Sequence, residues 1–281
     1  MFKHFSIGLY EKALPEELSW PERFAAARNI GYEFLELSID ETDRRVKRLD
    51  WDNRTCLDFV EMQYESAMSV PTMCLSGLRR CPLGSVDRSL REEGLDMLIR
   101  AVELASRVGI RVVQVAGYDE LMDKASTETS RTNFAENLKK GLVHASSLGV
   151  TLAIENMDVP FMDSLERSME YVTRFQSPYL QVYADVGNLS AANKNLEREF
   201  ALARGHIAAI HIKDTLEGVF RYVPFGQGRV DFHEVFSLIK LSGYTGLLLL
   251  EMWNDPELDS IEEASRSYDY ITSCMRASGL T

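Results

Sequence analysis

Residues 90–118 read LREEGLDMLIRAVELASRVGIRVVQVAGY, and the stretch holds two periodicities joined at one glycine. In its first part Leu90, Leu95, Leu98, Val102 and Ala105 recur at three-to-four spacing, the apolar stripe of an amphipathic helix. After Gly109 comes IRVVQVAGY, short and rich in β-branched residues, as expected of a strand buried on both faces. Gly109 stands where a helix ends in a left-handed residue. The stretch therefore reads as one helix returning to one strand, a piece of a parallel α/β sheet.

The same unit recurs on both sides. β-rich runs lie at 5–10 (FSIGLY), 32–39 (YEFLELSI), 70–77 (VPTMCLSG), 110–118, 151–157 (TLAIENM), 180–188 (LQVYADVGN), 207–214 (IAAIHIKD) and 246–253 (GLLLLEMW). Helical patterns separate them, and Gly31, Gly149 and Gly243 repeat the punctuation of Gly109. No Pro/Ser/Gly linker divides the series. Eight units predict an α/β fold in which residues 1–281 form a single (β/α)8 TIM barrel domain with an eight-stranded parallel core. An open doubly wound sheet is the rival, but its Gly-rich phosphate fingerprint is missing: LYEKALPEEL follows the first strand.

Composition limits the partners. Lys plus Arg number 31 against 43 Asp plus Glu, a formal net charge of −12, so the average field repels nucleic acid and anionic membrane surfaces. A small anion can still bind in a local basic pocket. Cys56, Cys74, Cys81 and Cys274 show no CxxC spacing in a chain large enough to fold without disulfides, and reduced thiols in the cytoplasm are expected. MFKHFSIGLYEKAL lacks the features of a signal peptide, and no apolar run approaches the ~18 residues of a membrane span.

In such a barrel the active site forms at the C-terminal ends of the strands. The fifth run ends IEN, the sixth ADVGN, the seventh HIKD and the eighth LEMW. Glu155, Asp185, His211 and Glu251 thus occupy nearly equivalent positions on consecutive strands. Singly, each has an ordinary structural explanation as a cap, a turn former or an ion-pair member. Together, three carboxylates and an imidazole make a ligand set for one divalent cation, which would also account for a glutamate ending the four-leucine run.

At these residues the chain resembles the sugar-phosphate isomerase/epimerase superfamily of xylose isomerase-like barrels. IGLYEKALPEEL, ELSIDETDRRVKRLDW, PTMCLSGLRRCPLGS, VAGYDE, DVGNLSA, HIKDT, VPFGQGRVDF and LLEMW are more closely similar to the L-ribulose-5-phosphate 3-epimerase family, also called L-xylulose-5-phosphate 3-epimerases. The segments span residues 7 to 253. The resemblance implies that Glu155, Asp185, His211 and Glu251 hold one divalent metal ion (Zn, Mn, Co or Mg). It implies that Glu155 and Glu251 are also the acid/base pair, and that the substrate is a sugar phosphate of pentose or ascorbate catabolism. Asn188 stands where some wider relatives have histidine.

A C3 epimerisation needs one base per face of the substrate, and strands five and eight can supply a glutamate to each. For the phosphate, Lys213 shares strand parity with His211, Arg221 lies in the following loop with Gly226-Gln227-Gly228, and Arg79-Arg80 follow the third strand. Trp253 shares parity with Glu251 and is offered either as a wall for the sugar or as a packed barrel-end aromatic. His4, His144, His206 and His233 carry no assigned role, and Met62, Met68, Met73, Met97 and Met122 read as core fillers. A related ketose isomerase or dehydratase is the alternative enzyme, and a metal-dependent abasic-site endonuclease a remoter one that the charge opposes. A homodimer stays open.

Overall fold

Eight parallel strands close on themselves in chain order in the computed structural model, which describes residues 5–280. They are β1 (Ser6–Tyr10), β2 (Phe34–Ser38), β3 (Ser69–Leu75), β4 (Val112–Ala116), β5 (Thr151–Glu155), β6 (Leu180–Asp185), β7 (Ile207–Ile212) and β8 (Leu247–Leu250). β1 pairs with both β2 and β8, which closes the barrel. All eight expected runs contain a strand, and their β-branched and leucine-rich composition matches a sheet covered on both faces.

The helices between them are α1 (Trp20–Ile30), α2 (Asp43–Val46), α3 (Asn53–Ser66), α4 (Arg88–Val108), α5 (Glu128–Ser147), α6 (Leu165–Phe175), α7 (Val186–Ala191), α8 (Leu196–Leu202), α9 (Phe232–Ser242) and α10 (Ser260–Ala277). α4 begins at Asp87, whose carboxylate accepts from the backbone N–H of Ser89 at 2.8 Å, and stops where Gly109 takes φ +84°. Of its stripe, Leu98, Val102 and Ala105 are fully buried in the layer between helices and barrel, while Leu90 and Leu95 in the first turns are half-buried. Inside the barrel the packing is sparser: Tyr10, Phe34, Cys74 and Leu249 form one small cluster, and Ala153, Tyr183 and Ala209 another.

Three expectations shift in detail. The run at 180–188 ends as a strand at Asp185, because the Asp185 carboxylate accepts from the Asn188 N–H at 2.8 Å and so caps α7. Glu251 lies just past β8, although its N–H still bonds the Ile212 carbonyl at 2.9 Å. Met68, Met73 and Met97 fill the core and Met62 packs against it, whereas Met122 is 54% exposed in the β4–α5 loop. All four cysteines are free and buried. Among the described residues no helix is long and apolar enough to cross a membrane.

Candidate metal centre and substrate pocket

Glu155 and Asp185 end their strands, His211 is the next-to-last residue of β7 and Glu251 follows β8 immediately, so barrel geometry alone points them at a common centre. The structure brings Glu155, Asp185, His211 and Glu251 together, with one donor atom of each lying within 4.8 Å of all the others. All four are buried. His211 Nδ1 stands 2.6 Å from Glu155 Oε1 and 3.8 Å from Glu251 Oε2.

The protein holds the far side of three ligands. Asp185 Oδ1 is occupied by the Asn188 N–H, Glu155 Oε2 accepts from the Gln114 amide, and His211 Nε2 lies 3.0 Å from Glu36 Oε2. Gln114 is itself fixed by the Leu75 N–H at 2.8 Å. Asp185 Oδ2, Glu155 Oε1, His211 Nδ1 and Glu251 Oε2 are therefore the atoms left to the centre. Of these, Asp185 Oδ2 and Glu251 Oε2 are buried without a hydrogen bond of good geometry. Two buried carboxylate oxygens that meet only an ion-pairing ammonium, beside an imidazole nitrogen, fit a hard or borderline divalent cation.

Lys213 is part of this centre. Its ammonium is buried, 2.6 Å from Asp185 Oδ2 and 2.8 Å from Glu251 Oε2, so it faces the carboxylates offered to the metal. The electrostatics follow from that crowding. Burial pushes Asp185 up to about 7, with Lys213 pulling it down and Glu251 and Glu155 adding to the rise. Burial would also raise Glu251, but the Lys213 ammonium and then His211 hold it at about 2. Burial would lower Lys213 and His211, yet Asp185 and Glu251 raise the lysine, and Glu36, Glu155 and Glu251 raise the histidine well above its ordinary value.

A pocket opens beside the cluster, lined by Glu155, Glu251, Asn188, Lys213, Arg221 and Trp253 together with Tyr10, Lys12, Cys74, Ser76 and Arg79. Asn188 donates from Nδ2 to the Asn156 carbonyl at 2.8 Å, while its buried Oδ1 has no partner. Arg221 makes no ion pair among the described residues, and its guanidinium lies 5.7 Å from the Trp253 ring. The Lys213 ammonium lies at the same 5.7 Å from that ring, and Tyr10 meets it edge-on at 6.4 Å. Arg79 pairs with Glu41 at 3.2 Å in the pocket wall. Arg80 pairs with Asp43 and Glu93 and does not line the pocket. His144 and His206 pair with Glu103 and Gln181 away from the cluster, and His4 lies outside the described residues.

Gln114 and Glu36 were missed by reading strand ends. Both sit one pleat deeper, at inward positions of β4 and β2, where a buried polar residue in a strand was the available signal.

Fold and cluster together define a class: the chain belongs to the xylose isomerase-like TIM barrel family, whose description matches residues 24–274. Within that class it is 44% identical over 278 residues to the L-ribulose-5-phosphate 3-epimerase UlaE of Escherichia coli O1:K1 / APEC, covering 99% of this chain and 98% of that one. Among solved structures, an L-ribulose 3-epimerase superposes with a TM-score of 0.80 at 16% identity, over 98% of this chain and 96% of that one. A D-tagatose 3-epimerase-like protein gives 0.81 at 17% identity, over 98% of each chain. These two likenesses carry the fold.

Proposed function

We infer that this chain is an isomerase of the epimerase class, a single barrel domain that interconverts L-ribulose 5-phosphate and L-xylulose 5-phosphate at C3 in cytoplasmic carbohydrate catabolism. The near-full-length identity to proteins named for that reaction supports the substrate. The observation that carries the chemistry is that Glu155 and Glu251, from β5 and the end of β8, both approach His211 Nδ1 and both line one pocket.

Glu155, Asp185, His211 and Glu251 would hold one divalent cation, which supplies Lewis-acid polarisation of the C2 carbonyl and compensates negative charge there. The glutamates move the protons. One removes the C3 proton, and the C–H electron pair passes into the C2–C3 bond as the carbonyl oxygen gains charge. The other, already protonated, returns a proton to C3 from the opposite face, and the roles exchange in the reverse direction. The unpartnered Asn188 Oδ1 is placed to accept from a sugar hydroxyl, Trp253 walls the sugar, and the unpaired Arg221 meets the phosphate. Lys213 keeps a positive charge at the pocket edge of the carboxylates.

Turnover in deuterated water tests the reading. Solvent label should enter C3 of the product, and Glu155→Gln or Glu251→Gln should suppress epimerisation in both directions. Epimerisation without label at C3 would replace proton transfer with a bond-cleaving or hydride route.

A further inference from the structure

Glu36 is a fully buried carboxylate on β2 that does not line the substrate pocket. No Lys or Arg pairs with it among the described residues. Its Oε1 accepts from the Tyr183 hydroxyl at 2.7 Å, and its Oε2 lies 3.0 Å from His211 Nε2. Tyr183 and His211 come from β6 and β7, so the Glu36 side chain crosses the barrel lumen from β2 to reach them. Ala153 and Ala209, small side chains, pack beside Tyr183 there. The Tyr183 ring also lies 4.3 Å from the imidazole, limiting its rotation.

A carboxyl group sunk in a barrel core with no Lys or Arg beside it costs stability, and an apolar residue of similar size would fill the space more favourably. The carboxylate therefore answers a need of its partner. With Nε2–H donating to Glu36, Nδ1 is the ring nitrogen left to give its lone pair to a cation, and Nδ1 is the nitrogen that stands among Glu155, Glu251 and Asp185.

Resting on the metal reading above, we propose that Glu36 is a positioning residue that fixes the tautomer and ring orientation of His211, so that Nδ1 serves as the metal-binding atom and is made a stronger donor. Glu36 touches neither substrate nor reacting atoms. Its effect is on the affinity of the quartet for the cation, and outer carboxylates of this kind are worth about 10- to 100-fold in metal affinity.

Metal binding, measured by competition with a chelator, separates this role from packing. Glu36→Gln keeps the shape and removes the charge, so the Kd for Mn²⁺ or Co²⁺ should rise about 10- to 100-fold while the melting temperature of the metal-free chain holds or rises. An unchanged Kd, or a lost Kd with an equally large fall in metal-free stability, would assign Glu36 to the core alone. The unmutated chain gives a second reading if the variant fails to fold. ¹⁵N spectra of the Zn²⁺-loaded protein should show His211 protonated on Nε2 and metal-bound through Nδ1, and the opposite arrangement overturns the proposal. If the unmutated chain takes up no divalent ion, the metal reading itself falls and this role with it.

Discussion

Among the described residues Arg221 is the pocket cation that makes no ion pair within 4.0 Å. Lys12, Arg79 and Lys213 are each committed to an acidic partner, at 2.8, 3.2 and 2.6 Å. A dianionic phosphate entering beside them gains most from the guanidinium that is still free to pair. Replacing Arg221 by Ala should therefore raise KM for the phosphorylated ketose by about ten- to a hundred-fold, the equivalent of a charged hydrogen bond, and leave the slow turnover of the unphosphorylated ketose nearly unchanged. Equal losses on both substrates would place the phosphate elsewhere. Asp40 shows the complementary case of a carboxylate used for structure. Burial alone would raise it, but Lys12 at 2.8 Å and the N–H and hydroxyl of Thr42 hold it at about 2, below its ordinary 3.8. A lowered carboxylate adds stability above pH 4 and loses it as pH falls toward 2, here roughly 2 kcal/mol. Asp40→Asn should reduce the urea midpoint at pH 7 and flatten its fall between pH 4 and pH 2. Glu155, Asp185, His211 and Glu251 were legible because each is a polar residue closing the apolar run of one of four consecutive strands. Glu36 and Gln114 were not, because what gives them meaning is a tertiary contact, across the barrel for Glu36 and to the neighbouring strand for Gln114, 175 and 41 residues along the chain from their partners.

Among the elements, the loop between β7 and α9 does the most for the pocket. It carries Arg221, and Asp214 at its root ties it down by accepting from the N–H groups of Gly226 and Gly228 at 2.9 Å, of Thr215 at 2.9 Å and of Val230 at 3.3 Å. A Cβ on Gly228 would lie 2.0 Å from Asp214 Oδ1, so the clamp and a side chain there exclude each other. Tyr222, next to Arg221, sits at φ +59°, an uncommon conformation for a tyrosine, while its ring lies 5.7 Å from Trp253. Gly228→Ala should cost about 1–3 kcal/mol of stability in a thermal or urea melt and raise KM through the displaced loop. An unaltered melt would mean that the loop relaxes freely. Strands and helices were readable because apolar period and terminal glycine agree, as along residues 90–118. This loop was not: its shape depends on one aspartate satisfying four separated amides, and GQG alone does not encode that.

At the scale of the whole molecule the closed barrel leaves no open strand edge among the described residues to pair with another chain, and the formal charge of −12 adds mutual repulsion. The same closure turns every strand's C-terminal end toward one face, which is why four residues far apart in sequence could be predicted to meet before their contacts were known. It also separates the three tryptophans by location. Trp20 and Trp51 both pack on Phe59 of α3, at 4.8 and 5.2 Å, in the helical layer. Trp253 alone lines the pocket, between two cationic side chains and beneath Tyr222. The chain thus carries its own optical probe. Filling the pocket should alter the emission of one indole in three, giving a saturable change on titration with L-xylulose 5-phosphate, and Trp253→Phe should abolish that change while the remaining emission still reports unfolding.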